Sequence, residues 1–252
     1  MGAGARGSVV ALSLEMPVLR DILADAVPEG TLVVCGGGEL QRKPMAAIRE
    51  LVALGVGGLR VATMLGSADV EVLLGSGAVV EVHSAGVALE GLAPRWREAR
   101  QTGTPAVVEW SEGTFTAALQ AAALGLDSIP WPAGLGTDLP AVNPWLKEAH
   151  DPHTGRPVLA VRALVPDVAL IHVSGVDEDG NAYVDGDLVV DGLLARAARR
   201  VVVTYERRVE IDPGRVAISR IWIDDAIEAP GGARPTACAP DYAFDPEGLR
   251  EL

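Results

Sequence analysis

The sequence predicts an α/β fold, with an open, mainly parallel sheet and helices on both of its faces. Short apolar runs rich in Val, Ile and Leu alternate along the chain with segments of helical character, which is typical of parallel strands joined by crossover helices. Hydrophobic residues make up 49% of the chain and aromatic residues only 4%, so small aliphatic side chains must build the core. The length of 252 residues is enough to bury such a core.

The predicted elements follow one another closely. Strands are predicted at residues 31–35, 59–64, 78–82, 106–110, 157–161, 168–173 and 201–205, and helices at 44–54, 93–103, 114–125 and 189–199. Pro44 suits the first position of its helix, and Gly55 suits the C-terminal end. The elements are assigned to a single domain of residues 1–252. Residues 135–157 are rich in Pro, Asp and Gly and are predicted to form an excursion or flap.

Charge and cysteine content limit the partners and the location. The formal net charge of −13 repels polyanions and argues against nucleic acid or an anionic membrane surface as a partner. Cys35 and Cys238 are too few for the disulfide framework of a secreted protein. Residues 1–17 lack the pattern of a signal peptide, and no apolar run approaches the ~20 residues that span a bilayer. A cytoplasmic protein is therefore expected.

Three consecutive glycines stand between the first predicted strand and the following helix, in the stretch "VVCGGGELQRKPMAAIREL" (33–51). The dinucleotide pattern G-x-G-x-x-G fails because its third glycine would fall on Gln41, and the P-loop pattern fails because no Ser or Thr follows the lysine. The backbone amides of Gly36, Gly37 and Gly38 could still approach a ligand oxygen and stabilise an oxyanion or a pyrophosphate. The alternative is a tight strand-to-helix turn that binds no ligand.

A cationic pair, Arg42 and Lys43, follows the glycines at the start of the helix. Such pairs are commonly solvated. Positive charges at a helix N-terminus oppose the helix dipole, at a cost of roughly 0.3–1 kcal/mol each. Their position beside a glycine turn therefore favours an anionic ligand, and both residues are candidates for substrate binding.

The stretch "VVEWSEGTFTAALQAAA" repeats the arrangement of strand, turn and helix. Ser111 or Thr114 is expected to cap the helix, and Glu112 falls among its first residues, where the dipole favours the ionised carboxylate. An ordinary helix-start acid is one interpretation. The functional interpretation makes Glu112 a nucleophile or a general base at the end of a strand, where open α/β sheets place their ligands.

Other polar motifs favour structural roles. The motif "HDPH" (150–153) offers metal donors but no clear third ligand, so no metal site is predicted. The motif "DEDGN" (177–181) predicts a hairpin turn rather than a calcium loop. His172, within an apolar strand, is expected to be a hydrogen-bonded interior residue, and Glu206 is a weaker second carboxylate candidate.

In combination, several segments resemble the alpha subunit of family I coenzyme A transferases: "GGGELQRKPMAAIRE", "VEWSEGTF", "AAALGLDSIPWPAGLGTD", "DVALIHVSGVDEDGNAYV" and "DDAIEAPGGARPTACAPDY". The resemblance runs from about residue 30 to residue 245. It is nearest to the glutaconate CoA-transferase group and, within that group, to the alpha subunit of the actinobacterial steroid-degradation hydrolase that opens the last ring of a steroid-derived CoA thioester.

The resemblance implies an alpha–beta pair with its active site at the subunit interface. In the transferases a glutamate of the beta subunit attacks the acyl-CoA, giving an anhydride and then a glutamyl-CoA thioester. The turn of Gly36 to Gly38 resembles the oxyanion and thioester-binding element. Glu112, in "SEG", matches a functional glutamate of the steroid hydrolase group, and Gly134 and Gly136, in "AGLGT", match a loop near the same site.

The predicted function is therefore that of the alpha subunit of a CoA-thioester enzyme, which transfers CoA between carboxylic acids through a partner-subunit glutamate. The alternative reaction is hydrolytic ring opening of a steroid-derived acyl-CoA, with Glu112 as the base. A metabolite-binding sensor domain and a sugar-phosphate isomerase of related fold are alternatives of other classes. No permanently bound cofactor is expected, because the CoA thioester is a substrate.

Overall fold

The computed structural model describes residues 18–252. Residues 1–17, in which no signal peptide was predicted, lie outside the described residues. The strands are β1 (Leu32–Cys35), β2 (Leu59–Gly66), β3 (Val79–Val87), β4 (Ala106–Glu109), β5 (Ser128–Trp131), β6 (Leu146–His150), β7 (Pro157–Arg162), β8 (Val168–Val176), β9 (Ala182–Tyr183), β10 (Arg200–Arg208) and β11 (Asp225–Glu228). The helices are α1 (18–26), α2 (Met45–Leu54), α3 (Ala68–Gly75), α4 (Pro94–Thr102), α5 (Glu112–Ala123), α6 (Leu139–Val142), α7 (Asp191–Ala197) and α8 (Pro246–Arg250).

The main sheet has the order β11-β10-β8-β1-β2-β3-β4, and these seven strands pair in parallel. The short strand β9 pairs antiparallel with β8. From β1 the chain adds strands on one side as far as β4, and later on the other side through β8, β10 and β11. The order therefore reverses between β1 and β8, and open α/β sheets bind ligands outside the carboxyl ends of the strands at such a point.

The two faces of the sheet pack into two separate cores, because successive strand residues point to opposite faces. Leu32 and Val34 of β1 belong to the core that contains α5 and α7, whereas Val33 and Cys35 belong to the core that contains α1, α2 and α3. Helices therefore cover both faces. The predicted α/β architecture is confirmed, and the predicted C-terminal stop of α2 is present as Gly55, with φ of 69°.

Residues 135–157 contain structure of their own. The segment includes α6 and β6, and β6 pairs antiparallel with β7 in a three-stranded sheet of order β5-β7-β6. Leu146, Leu159 and Val161 of this sheet belong to the same core as α5. Among the described residues, no helix is long and apolar enough to cross a membrane.

Candidate active site

The glycine turn after β1 is determined by close contacts. Gly37 has φ of 77°, which only glycine adopts without strain, and a Cβ atom there would lie 2.5 Å from the carbonyl oxygen of Arg42. A Cβ atom on Gly36 would lie 2.6 Å from Asp191 Oδ1. These two positions therefore exclude a side chain for steric reasons.

The amides of all three glycines already have acceptors within the protein. Gly36 N–H donates to Leu170 O at 2.9 Å, Gly37 N–H donates to Asp191 Oδ1 at 2.8 Å, and Gly38 N–H donates to Gln41 O at 2.9 Å. This arrangement differs from the sequence expectation, in which bare glycine amides would bind an acyl oxygen. In this conformation the glycines shape the turn, and their amides are not free donors.

The next two residues carry the free amides. Within the described part of the chain, neither Glu39 N–H nor Leu40 N–H has a hydrogen-bond acceptor. Both residues line a cleft near the carboxyl ends of β1 and β2. Glu39 is exposed and Leu40 is half-buried. Two amides at the edge of a concave site can donate to the oxygen of a thioester carbonyl, in the manner of an oxyanion hole.

The cationic pair lies beneath the turn. Arg42 and Lys43 are both 0% exposed, so the expectation that these side chains meet an anionic substrate in the cleft is corrected. Arg42 Nη1 lies 2.5 Å from Asp191 Oδ2. Lys43 Nζ lies 3.0 Å from Asp69 Oδ2, in an ion pair without hydrogen-bond geometry, and donates to Thr63 Oγ1 at 2.9 Å. Buried charges require such partners because an unpaired charge in the interior is strongly destabilising.

The start of α5 is capped by its own neighbours. Ser111 Oγ accepts from Thr114 N–H at 3.1 Å, and Ser111 N–H donates to Thr114 Oγ1 at 3.1 Å, which confirms the predicted cap. Glu112 is the first residue of the helix and is exposed in the same cleft as Glu39. Its carboxylate makes no hydrogen bond or ion pair to any other residue that the structure describes. The local cap therefore leaves this carboxylate free to meet a ligand.

The cleft has a volume of ≈ 940 Å³ and lies beyond the carboxyl ends of β1, β2 and β4. Its charged lining side chains are those of Glu39, Glu112 and Asp187, and no lysine or arginine lies among the described residues that line it. Its remaining walls are mostly apolar and come from Leu40, Met64, Leu65, Trp131, Val189, Val190, Ala237 and Phe244. The cleft therefore suits an apolar group attached to a polarised carbonyl.

Gly134 and Gly136 lie outside this lining. Both have positive φ, of 94° and 75°, in the connection that follows Trp131. Gly134 O accepts a hydrogen bond from Thr137 Oγ1 at 2.7 Å. In this structure the two glycines shape the connection, while Trp131 itself reaches the cleft.

The second carboxylate candidate, Glu206, is buried and fully engaged. His172 Nε2 lies 2.7 Å from Glu206 Oε1, which also accepts from the Tyr242 hydroxyl, and Gly231 N–H donates to Oε2 at 2.7 Å. Burial alone would raise the pKa of Glu206, but these hydrogen bonds outweigh it and hold the pKa below its ordinary value. His172 Nδ1 bonds Thr204 Oγ1 at 2.8 Å, so the predicted hydrogen-bonded interior histidine is confirmed.

Cys238 lies near this pair. The ligand atoms of His172, Glu206 and Cys238 are within 4.8 Å of one another, as a metal site would require. The imidazole and the carboxylate are already hydrogen-bonded to each other, and burial raises the pKa of the Cys238 thiol to about 12. Since the thiolate is the metal ligand, this cluster is better suited to a hydrogen-bond network.

Sequence reasoning missed Asp191, the buried partner of the glycine turn. Asp191 begins α7, 154 residues beyond Gly37, and no local motif marks it. An aspartate at a helix start is common, so the sequence does not indicate that this one is buried. Asp187 and the apolar walls of the cleft were missed for the same reason, since distant segments bring them together.

Comparison with known proteins places the chain in a family. The coenzyme A transferase family model matches residues 19–229. A protein of Archaeoglobus fulgidus is 36% identical over 92% of this chain, but the chain spans only 54% of that relative's length. The cholesterol ring-cleaving hydrolase IpdA subunit of Mycobacterium tuberculosis is 33% identical, over 93% of this chain and 87% of that protein.

Solved structures agree with this assignment. A variant of the decarboxylase AibA/AibB is 35% identical, with a TM-score of 0.83 over 91% of this chain and 88% of the matched chain. Glutaconate coenzyme A-transferase from Acidaminococcus fermentans is 27% identical, with a TM-score of 0.84 over 92% of this chain and 81% of the matched chain. The family resemblance read from the sequence motifs is thereby confirmed: the chain belongs to the coenzyme A transferase family.

Proposed function

We propose that this chain is the alpha-type subunit of an enzyme that transfers CoA between carboxylic acids, together with a separately encoded beta-type subunit. The observation that carries the proposal is the open cleft at the reversal of strand order, where the unpartnered amides of Glu39 and Leu40 lie at the edge of an apolar site. Family membership supports CoA thioesters as the substrates, and similar proteins are named as subunits.

In the proposed reaction, the amides of Glu39 and Leu40 polarise the thioester carbonyl of the acyl-CoA. A glutamate of the partner attacks this carbon, the C–S bond breaks, and CoA leaves as the thiolate from an enzyme-bound anhydride. The thiolate then attacks the glutamyl carbonyl and releases the first acid, and the second acid completes the exchange by the reverse steps. Gly36, Gly37 and Gly38 give the turn its shape, while Gly134 and Gly136 direct the connection behind Trp131.

Arg42 contributes from beneath the turn by supporting the loop that carries the two amides, whereas Lys43 pairs with Asp69 of α3 in the interior. Their charges are compensated by Asp191 and Asp69, so the proposed contribution is to geometry rather than to direct substrate contact. No permanently bound cofactor is part of the proposal. A cytoplasmic location is proposed, since Cys35 and Cys238 are free thiols in this structure.

A second reaction has an observation of its own in its favour. The Glu112 carboxylate is unpartnered within the described chain and lies in a cleft that lacks a lining cation among the described residues. A carboxylate so placed can take a proton from water, and the hydroxide adds to a ring carbonyl. The adjacent C–C bond then breaks to give a carboxylic acid, and the departing carbon takes up the proton held by Glu112, which opens the ring of the acyl-CoA. The similarity to a cholesterol ring-cleaving hydrolase subunit supports this alternative.

Mass spectrometry of the co-expressed subunit pair separates the two reactions. A transferase forms a covalent CoA adduct on the partner glutamate and moves CoA to an added carboxylic acid, with no oxygen taken up from ¹⁸O-labelled water. A hydrolase incorporates the label and forms no adduct. Binding of acyl-CoA without turnover, for every thioester offered, would contradict both reactions and favour a sensor.

The variant Glu112→Gln sharpens this assay. We expect it to abolish label incorporation by a hydrolase, since an amide cannot act as the base, and to leave adduct formation by a transferase detectable. Glu247→Gln is the matched control, because Glu247 is likewise an exposed glutamate in the first turn of a helix, α8, but lies outside the cleft lining.

A further inference from the structure

Asp191 lies at the junction of the glycine turn and the interior. It is the first residue of α7, and its side chain is 0% exposed. Its two carboxylate oxygens have different partners: Oδ1 accepts from Gly37 N–H at 2.8 Å, and Oδ2 lies 2.5 Å from Arg42 Nη1. One buried carboxylate therefore contacts both ends of the loop formed by residues 37–42.

This loop presents the two unpartnered amides. Glu39 and Leu40 lie between the two points that Asp191 contacts, and both line the cleft. The backbone at either end is in the left-handed region, with φ of 77° at Gly37 and 55° at Arg42. A non-glycine residue in that region is strained, and such strain persists only where surrounding contacts enforce it.

Arg42 and Asp191 make further contacts around this loop. Arg42 Nη2 donates to Asp187 O, and Arg42 Nη1 donates to His172 O at 3.3 Å. On the other side, the carboxylate of Asp191 packs so closely against Gly36 that a Cβ atom there would lie 2.6 Å from Oδ1. The guanidinium and the carboxylate are therefore each held by more than one contact in the interior.

We propose that Asp191 is a positioning residue for the reaction: it holds residues 37–42 in the conformation that presents the amides of Glu39 and Leu40 to the thioester oxygen. This inference rests on the proposed function. Asp191 does not line the cleft, so it acts through the loop and makes no contact with substrate.

Asp69 provides a matched control. Its carboxylate is also 0% exposed and also compensates a buried cation, Lys43, at 3.0 Å. It does not contact both ends of the loop. Asp191→Asn and Asp69→Asn therefore each remove one buried negative charge next to the turn, but only the first is expected to release the loop.

Kinetics of the complete subunit pair test the role. We expect Asp191→Asn to lower kcat by about 10²-fold, since a misplacement of about 1 Å has an effect of this size, with little change in KM. Asp69→Asn should lower the melting temperature comparably and leave kcat close to wild type. Equal losses of kcat in both variants at equal stability would overturn the proposal, since both losses would then be structural.

Two further measurements keep the test informative if Asp191→Asn folds poorly. Replacing the pair together, as Asp191→Asn with Arg42→Met, removes the uncompensated charge and should restore stability without restoring kcat. Amide hydrogen exchange at Gly37 and Gly38, whose N–H groups donate to Asp191 Oδ1 and Gln41 O, should become faster in this double variant than in Asp69→Asn, whatever the enzyme's activity. Unchanged exchange would overturn the role of Asp191, whereas an inactive wild-type pair with faster exchange in the variant would contradict only the proposed function.

Discussion

The two strand–turn–helix units of the cleft are built in different ways. Between β1 and α2, the turn depends on residues far along the chain: Asp191 contacts Gly37 and Arg42, and Ala237 O accepts from Arg42 N–H at 2.7 Å. Between β4 and α5, the turn depends on immediate neighbours, with Ser111 and Thr114 capping each other. The first turn therefore forms only when the whole domain is folded, whereas the second is specified locally.

The two candidate glutamates also differ in their contacts with distant residues. Glu206 is bonded to His172, Tyr242 and Gly231, and nothing of its carboxylate is left for a substrate. Glu112 is exposed and without a partner among the described residues. The Glu112 carboxylate is available for chemistry because Ser111 and Thr114 cap the start of α5 and the Glu112 side chain takes no part in the cap.

The largest effect is expected at the first turn. Gly37→Val would place a Cβ atom 2.5 Å from Arg42 O at φ of 77°, so the loop must move. We expect turnover to fall by about 10²–10³-fold, the effect of losing an oxyanion donor. The measurement is kcat of the assembled pair.

Gly55→Ala is the control for this change, because Gly55 has a similar φ of 69° but a Cβ atom there would have no neighbour within 4 Å among residues 18–252. It introduces the backbone strain without the collision, and we expect kcat to stay near wild type. Full activity of a correctly assembled Gly37→Val pair would contradict the importance of the turn.

A smaller effect, on stability, is expected from the two glutamates. Glu206→Gln should lower the free energy of unfolding by about 2–3 kcal/mol, because hydrogen bonds to a buried charge are lost or weakened. Glu112→Gln should change it by less than about 0.5 kcal/mol, as for other surface substitutions. Urea denaturation of both variants measures the difference, and equal destabilisation would remove the distinction between a structural and an available carboxylate.

A pH-dependent effect on stability is expected beside the second turn. His83 is buried beside Trp110, whose Nε1–H donates to His83 Nδ1 at 3.1 Å, and burial lowers the pKa of His83 below its ordinary 6.5. Below pH 6.5 the unfolded chain binds a proton at this residue that the folded chain does not bind. Stability therefore falls as pH decreases from 6.5 towards the folded-state pKa, by at most about 1.4 kcal/mol per pH unit.

His83→Gln isolates this contribution. The difference in unfolding free energy between wild type and variant should narrow as the pH falls from 7 to about 5, because the variant lacks the titrating group. A difference that does not change with pH would show that His83 titrates alike in both states. Chemical denaturation at several pH values provides the measurement.

Much of the fold could be predicted because strands and helices alternate along the chain, with proline and glycine residues near the ends of the helices. The helix α4, Pro94–Thr102, lies within the predicted helical segment of residues 93–103. The helix α3 was missed, since "ADVEVLLG" alternates apolar and acidic residues as a strand does. Of its buried acids, Asp69 forms an ion pair with Lys43, and Glu71 accepts hydrogen bonds from the backbone at the start of α4. These contacts exist only in the folded chain.

The candidate site could be predicted only where its parts are neighbours in sequence. Glu112 was singled out as a candidate because strand, cap and acid are consecutive. The burial of Arg42 and Lys43 was missed because their partners, Asp191 and Asp69, lie elsewhere in the chain. The same holds for the glycine amides, whose acceptors are set by the tertiary structure rather than by the turn.

The contact between Gly36 and Asp191 also has an evolutionary consequence. With 2.6 Å between Oδ1 and a hypothetical methyl at position 36, the two sites cannot change independently. In a lineage that acquires alanine at position 36, the carboxylate at position 191 must be displaced or lost, and the arginine at position 42 then loses its present contact with this counter-ion. Substitutions at these three positions should therefore be inherited together as related sequences diverge.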